Sequence, residues 1–120
     1  MNVASPVSEW ERGHHKLDAW RISRQLVTSV YRLTQHFPRS ELFGLTTQMR
    51  RAAVSIPANI AEGAARTGTK EFIQFLNIAR GSLSELETHL LIAVDLDYLR
   101  SEDPIFSLVN RVSMLLTGLH

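Results

Sequence analysis

The sequence predicts an all-α protein, an antiparallel up-down four-helix bundle whose second helix is kinked at Pro57. Three observations carry that expectation. Four segments place apolar residues at helical spacing, proline or glycine punctuates each junction between them, and no stretch alternates long enough to make a useful strand. Helices joined by short connections pack as antiparallel neighbours.

Residues 1–15 lack periodicity and contain Ser5-Pro6 and Gly13, so they read as a flexible N-terminal arm ahead of a bundle domain over 16–120. In the first helix Leu17, Trp20, Val27, Tyr31 and Thr34 form one seam, and Ile22, Leu26, Val30 and Leu33 an adjacent one. The helix reaches about His36, because the residue before Pro38 avoids helical torsions. The second helix follows Gly44, with Thr46 as N-cap, and ends near Gly63, a residue suited to left-handed torsions after a helix end. Pro57 inside it offers no N–H to the Ala53 carbonyl and crowds that carbonyl, which predicts the kink. The alternative is two short helices with Ser55 capping the second.

The third helix starts at Thr67-Gly68-Thr69, with Glu71 near its N-terminal dipole, and runs to about Leu96. Phe72, Leu76, Ala79, Leu83, Leu86, Leu90 and Ala93 repeat there at steps of 4, 3, 4, 3, 4 and 3, the strongest periodic signal in the chain. Such a seam implies packing at a shallow crossing angle. Pro104, preceded by Asp103 as a cap, opens the fourth helix, whose seam is Ile105, Leu108, Val112, Leu115 and Leu119.

A chain of 120 residues buries roughly two-thirds of its unfolded surface, enough for one core without staples. Hydrophobic residues at 44% and charged ones at 21% exclude a disordered chain. The absence of cysteine excludes disulfides and thiolate metal sites and suits a cytoplasmic location. Met1 to Lys16 holds no apolar core of a secretory signal, and the longest apolar run, Leu90 to Val94, falls far short of the roughly 20 residues that span a bilayer. No membrane partner is expected.

Net charge is +1, which gives a single chain no electrostatic footprint for nucleic acid. The sign is uneven, though. Arg50, Arg51, Arg66, Lys70 and Arg80 oppose only Glu62 and Glu71, whereas Glu85, Glu87, Asp95, Asp97, Glu102 and Asp103 oppose only Arg100. Either a basic face or a mixed solvated surface accounts for this.

Catalytic and metal chemistry do not assemble. No Glu-x-x-His pair of the di-iron kind occurs; Glu85 and His89 are a single pair four residues apart, and His14-His15 is a doublet on the arm. Ser55, Ser82 and Ser84 lie on helices, without the glycine-framed turn that presents a nucleophile. Gly63 to Gly68 has neither a preceding strand nor a Gly-Lys-Ser/Thr ending, so it reads as a helix connection and not a phosphate loop. No enzyme, metal or cofactor is expected.

The second helix is more informative. Gln48, Arg51, Ser55, Asn59, Glu62 and Arg66 follow at steps of 3, 4, 4, 3 and 4, a polar stripe on a helix otherwise rich in Ala, Ile, Val and Met. Polar groups flanked by surface that buries need partners. One reading is a hydrogen-bonded network that fixes helix register, with Gln48, Arg51, Ser55, Asn59 and Glu62 meeting Ser82 and Glu85 of the third helix. The other is a phosphate-binding face of Arg50, Arg66, Lys70 and Arg80. Arg50 and Arg51 point about 100° apart, so one serves the interior while the other reaches outward; the reading gives Arg51 the inner role. Gly81-Ser82 suggests close approach of another helix. Trp20, Tyr31, Phe37, Phe43 and Phe72 exceed what a thin bundle hides, which points to a second subunit, and Trp10 offers a clasp.

These residues carry a resemblance. Trp20 with Leu26-Val27, Tyr31 to Thr34 with Phe37-Pro38, Gly44 to Gln48, Arg50 to Gly63, Lys70 to Phe72, and Ala79 to Glu87 resemble, in order, the "four helix bundle protein" family, which includes proteins encoded by intervening sequences within bacterial 23S ribosomal RNA genes. The likeness covers about residues 16 to 119 and leaves the arm outside. It implies a four-helix protomer assembled as a ring-shaped homopentamer, with an RNA- or nucleic-acid-binding role and no catalytic activity. It draws attention to Arg50, Arg51, Asn59, Glu62 and Gly63, and to Gly81, Ser82 and Glu85. A ring repeats a basic stripe around an axis and concentrates potential even when each chain is nearly neutral. The leading expectation is a self-associating, RNA-binding bundle; a protein-protein scaffold and a small-ligand or metal bundle are the alternatives.

Overall fold

The computed structural model describes residues 13–119. Four α-helices make up the domain: α1, Asp18–Thr34; α2, Leu45–Ala64; α3, Thr69–Asp95; and α4, Ile105–Thr117. Among the described residues there is no strand. Short 3-10 turns occupy Gly13–Lys16 and Arg39–Glu41. Twelve residues of the N-terminal arm, with Trp10, lie outside the described part. The first 3-10 turn packs against α1 and α2, and His14 meets Trp20 edge-on at 4.9 Å.

α2 packs most extensively on α3 and next on α1, while α4 closes against α1 and α3. Among the described residues, backbones do not approach across either diagonal, α1 to α3 or α2 to α4, which is bundle-like packing around one core. That core is built from Leu26 and Val30 of α1, Met49, Ile56 and Ile60 of α2, Leu76, Leu86 and Leu90 of α3, and Val112 and Leu116 of α4. Burying each such side chain contributes about 1.5–3 kcal/mol, so packing rather than propensity sustains the helices. The predicted α3 seam is buried from Leu76 to Ala93, with Phe72 half-buried at its start. In α4 the deepest row is Ile105, Val109, Val112 and Leu116, and Leu108, Leu115 and Leu119 flank it half-buried. The shift arises because α4 is wedged between two helices and buries both sides of its stripe.

Helix ends correct two sequence expectations. Thr46 is buried inside the first turn of α2, and Glu41 caps the helix instead, its Oε1 accepting the Leu45 N–H at 3.3 Å. The same carboxylate accepts the Tyr98 hydroxyl at 2.9 Å, and that bond holds the Tyr98 pKa above the ordinary tyrosine value. Phe37 is buried against Tyr98, with ring centroids 5.3 Å apart, so the α1–α2 and α3–α4 connections are tied together. Gly63 is not a left-handed terminator: α2 continues through Ala64, and no described glycine has positive φ. The left-handed residue is Asp97, φ 62°, after α3, where Tyr98 N–H reaches the Ala93 carbonyl at 2.9 Å and Asp97 N–H the Val94 carbonyl at 3.0 Å. Asp103 caps α4 as expected, its Oδ1 accepting the Ile105 N–H at 2.9 Å. α2 is one helix with Pro57 within it, not two short ones.

A candidate interaction surface around helix α2

The polar stripe of α2 runs along the seam with α3. At its centre the Ser55 and Ser82 hydroxyls are 2.8 Å apart, and Asn59 Nδ2 donates to both the Ser55 carbonyl, at 2.8 Å, and its Oγ, at 2.9 Å. These half-buried short side chains fit between two closely packed helices and satisfy one another there. The longer members extend to the rim. Gln48 and Arg51 are exposed and, with Ala52, Ser55, Ser82 and Glu85, line an open cleft of about 330 Å³. Glu62 pairs at 3.3 Å, in water, with Arg66, which lies just beyond the end of α2 and not on it. The expected interior network is therefore confined to Ser55, Asn59 and Ser82. Arg51, Glu62 and Gln48 lie outside it, because long polar side chains beside a helix seam carry their charged or amide ends out to solvent.

Arg50 and Arg51 exchange the parts assigned from sequence. Arg50 is half-buried; its Nε donates to Thr34 Oγ1 at 2.9 Å, and its guanidinium carbon lies 4.6 Å from the Tyr31 ring centroid. It fastens α2 to α1, and Arg51 is the outward one. Of the other proposed phosphate contacts, Arg80 donates to the Leu116 carbonyl at 3.2 Å and to Asn77 Oδ1 at 3.3 Å, tying α3 to the C-terminal end of α4. Arg66 lies over the Phe75 ring at 5.1 Å as well as pairing with Glu62. Lys70 is exposed in the first turn of α3. Arg50 thus works on the α1 side of the bundle and Arg80 on the α4 side, so the structure does not gather these four cations on one face.

A different group does come together. Two adjoining hollows, about 490 and 450 Å³, share Val54 and form a groove along α1 and α2. Arg21, Arg24, Arg50 and Arg51 line it, and no carboxylate does among the described residues. Arg21 also pairs with Asp18, and Arg24 lies over Trp20 at 4.7 Å. The signal for the α1 members was in the sequence: Arg21 and Arg24, three residues apart, lie opposite the Leu26 and Val30 seam.

On the other side of α2, α3 carries a second apolar face. Ile78, Leu91, Ile92 and Leu96 at its end are 40–52% exposed, although the helix already buries a full seam. A helix apolar on more than one side is normally covered on more than one side. The surplus aromatics divide: Phe37 is buried, Trp20 and Phe72 are half-buried, and Tyr31 and Phe43 are exposed. Gly81 lies on the outer side of α3, and a Cβ there would meet nothing within 4 Å, so within the protomer it permits no close approach. Gly81→Ala is expected to stabilise the folded chain by up to about 1 kcal/mol, the helix-propensity difference, seen as a higher melting temperature.

His89 meets Glu85 at 3.8 Å, and its buried Nδ1 has no hydrogen-bond partner among the described residues. Among them, no third His, Asp or Glu joins the pair in a potential metal cluster, and no helix is long and apolar enough to cross a membrane. No curated protein matches the chain. The family described as 23S rRNA-intervening sequence protein matches it over residues 15–118, from the first 3-10 turn to the end of α4. A match of that extent, on a bundle of four helices, makes this chain a member of the 23S rRNA-intervening sequence protein family.

Proposed function

We propose that this protein is a non-enzymatic helical bundle of the antiparallel up-down kind, bent at Pro57, that acts in the cytoplasm by assembling with copies of itself. The observation that carries this reading is the second apolar face of α3, Ile78, Leu91, Ile92 and Leu96, left open by the protomer's own core. Large apolar side chains left exposed on a helix that already buries a full seam favour association through that helix. The family resemblance supplies the form, a ring of five. Sedimentation of the full chain across a wide concentration range tests it: the expected result is a mass several times that of one chain, and a single-chain mass throughout refutes it.

A second reading adds RNA or a ribonucleoprotein as partner. The family's description and the arginines of the α1–α2 groove favour it. Arg66 and Lys70 at the α2–α3 turn would extend the phosphate contacts, while Arg50 and Arg80, engaged within the protomer, would contribute less. Retention of structured RNA should then fall steeply with salt, by a slope of roughly 0.7–0.9 log units per log unit of salt for each phosphate neutralised. Retention that ignores salt counts against it.

A further inference from the structure

We infer that residues 1–12, the arm ahead of Gly13, lie along the α1–α2 groove of their own chain, with Trp10 on its apolar floor and Glu9 and Glu11 against Arg21 and Arg24. The contact needs no second copy. Val27, Val54 and Pro57 make the floor, Arg21 and Arg24 stand exposed beside it, and no carboxylate lines it among the described residues. A polyanion has no use for such a floor, whereas a segment with a large ring between two carboxylates uses floor and rim together. Glu9-Trp10-Glu11 is that segment. Arg21 already shares Asp18, but Arg24 meets no carboxylate among the described residues and lies over the Trp20 ring.

The arm also leaves the bundle at the end of this groove. On α1, Arg21, Arg24 and Thr28 line it, and Leu17 precedes them on the same face at helical spacing. On α2, Val54 and Pro57 line it, and Ala61 and Ala64 continue their row towards the helix end. Leu17 and Ala64 then line a third hollow, about 340 Å³, together with Gly13, the first described residue. Both walls therefore lead to the point where the arm begins. From Leu17 to Thr28 the helix rises about 16 Å, whereas the arm, fully extended, spans up to about 40 Å. Along α2, Ala64 to Pro57 is about 10 Å, which the stretch from Gly13 back to Trp10 also spans when extended. A segment tethered this closely meets its site at an effective concentration on the order of millimolar, so individually weak contacts suffice. The arm thereby screens the α1 arginines, and a polyanion drawn to them must first displace it.

Trp10 and Trp20 are the two tryptophans, so Trp20→Phe in the full chain leaves Trp10 as the fluorescent probe. Acrylamide is expected to quench it about threefold less efficiently in the folded chain than in urea, as for a ring packed on apolar surface. In that background Arg21→Glu with Arg24→Glu should raise quenching to the unfolded level, and Glu9→Arg with Glu11→Arg should do the same. All four changes together should restore protection. Arg32→Glu with Arg111→Glu, at exposed positions away from the groove, should leave it in place. A second measurement keeps Trp20 and the arginines of the groove. The chain has no cysteine, so Ser8→Cys with Thr28→Cys should close an intrachain disulfide on oxidation, whereas Ser8→Cys with Arg111→Cys should not. Equal quenching in the folded and unfolded chains overturns the contact, as does protection that survives reversal of Arg21 and Arg24, or a charge exchange that fails to restore it. Protection that rises with protein concentration, or disulfides formed only between chains, overturns it in favour of an arm that clasps a neighbour.

Discussion

Replacing Gly63 by alanine is expected to destabilise the fold by about 1–3 kcal/mol, against the usual benefit of alanine in a helix. Gly63 is buried in α2 where that helix presses on the start of α3. A Cβ there would stand 2.8 Å from Phe75 Cβ, 3.2 Å from Phe72 Cδ1 and 3.3 Å from the Phe72 carbonyl oxygen. None of the three is the loose end of a flexible side chain, so the helices themselves must part. Trimming Phe75→Ala should not restore stability, because the obstructing atom is the Cβ that alanine keeps. Urea or thermal unfolding measures the effect, and for a domain of this size the melting temperature should drop by several degrees. Gly81→Ala provides the control, since the same substitution on the open side of α3 should act with the opposite sign. Equal effects at the two positions would mean that close approach at Gly63 is not what the glycine serves.

That contrast marks where the sequence was legible. The all-helical architecture followed from periodicity, and the α3 seam from Leu76 to Ala93 is buried because seven repeating apolar positions leave only one way to face a core. Glycine was less transparent. Gly63 and Gly81 look alike in sequence, one suggesting a helix end and the other a helix contact, yet the contact is at Gly63 and the helix end lies beyond it. Which glycine touches a neighbour depends on how far the opposing backbone approaches, and residue type alone does not encode that distance. The cap of α2 was missed for a related reason: the carboxylate of Glu41 reaches the helix from four residues before Leu45, outside the local pattern that Thr46 seemed to satisfy. On the α2 stripe the spacing was legible from Gln48 to Glu62, whereas Arg66 lies beyond the helix end and depth was not legible at all. Periodicity gives the angle of a side chain around its helix, whereas chain length decides whether it ends in the seam, as at Ser55, or in water, as at Arg51.

The neighbouring arginines convert that distinction into an experiment. Arg50→Ala is expected to cost about 1–2 kcal/mol, because it removes a hydrogen bond to Thr34 and a cation–ring contact with Tyr31 in a half-buried position. Thr34 keeps its bond to the Val30 carbonyl at 2.7 Å, so the loss should stay within that range and the helix should not unravel. Arg50→Lys should recover little of it, since an ammonium lacks the planar fork that stacks on the ring while donating sideways. Arg51→Ala should leave unfolding free energy within about 0.5 kcal/mol, as exposed substitutions do, and should instead change assembly or ligand retention. The two measurements, denaturant unfolding and sedimentation, thus separate adjacent residues of identical chemistry by what each touches. If Arg51→Ala unfolds the protein as readily as Arg50→Ala does, the outer arginine belongs to the fold, and the groove loses the residue that most sets its rim apart from an ordinary solvated surface.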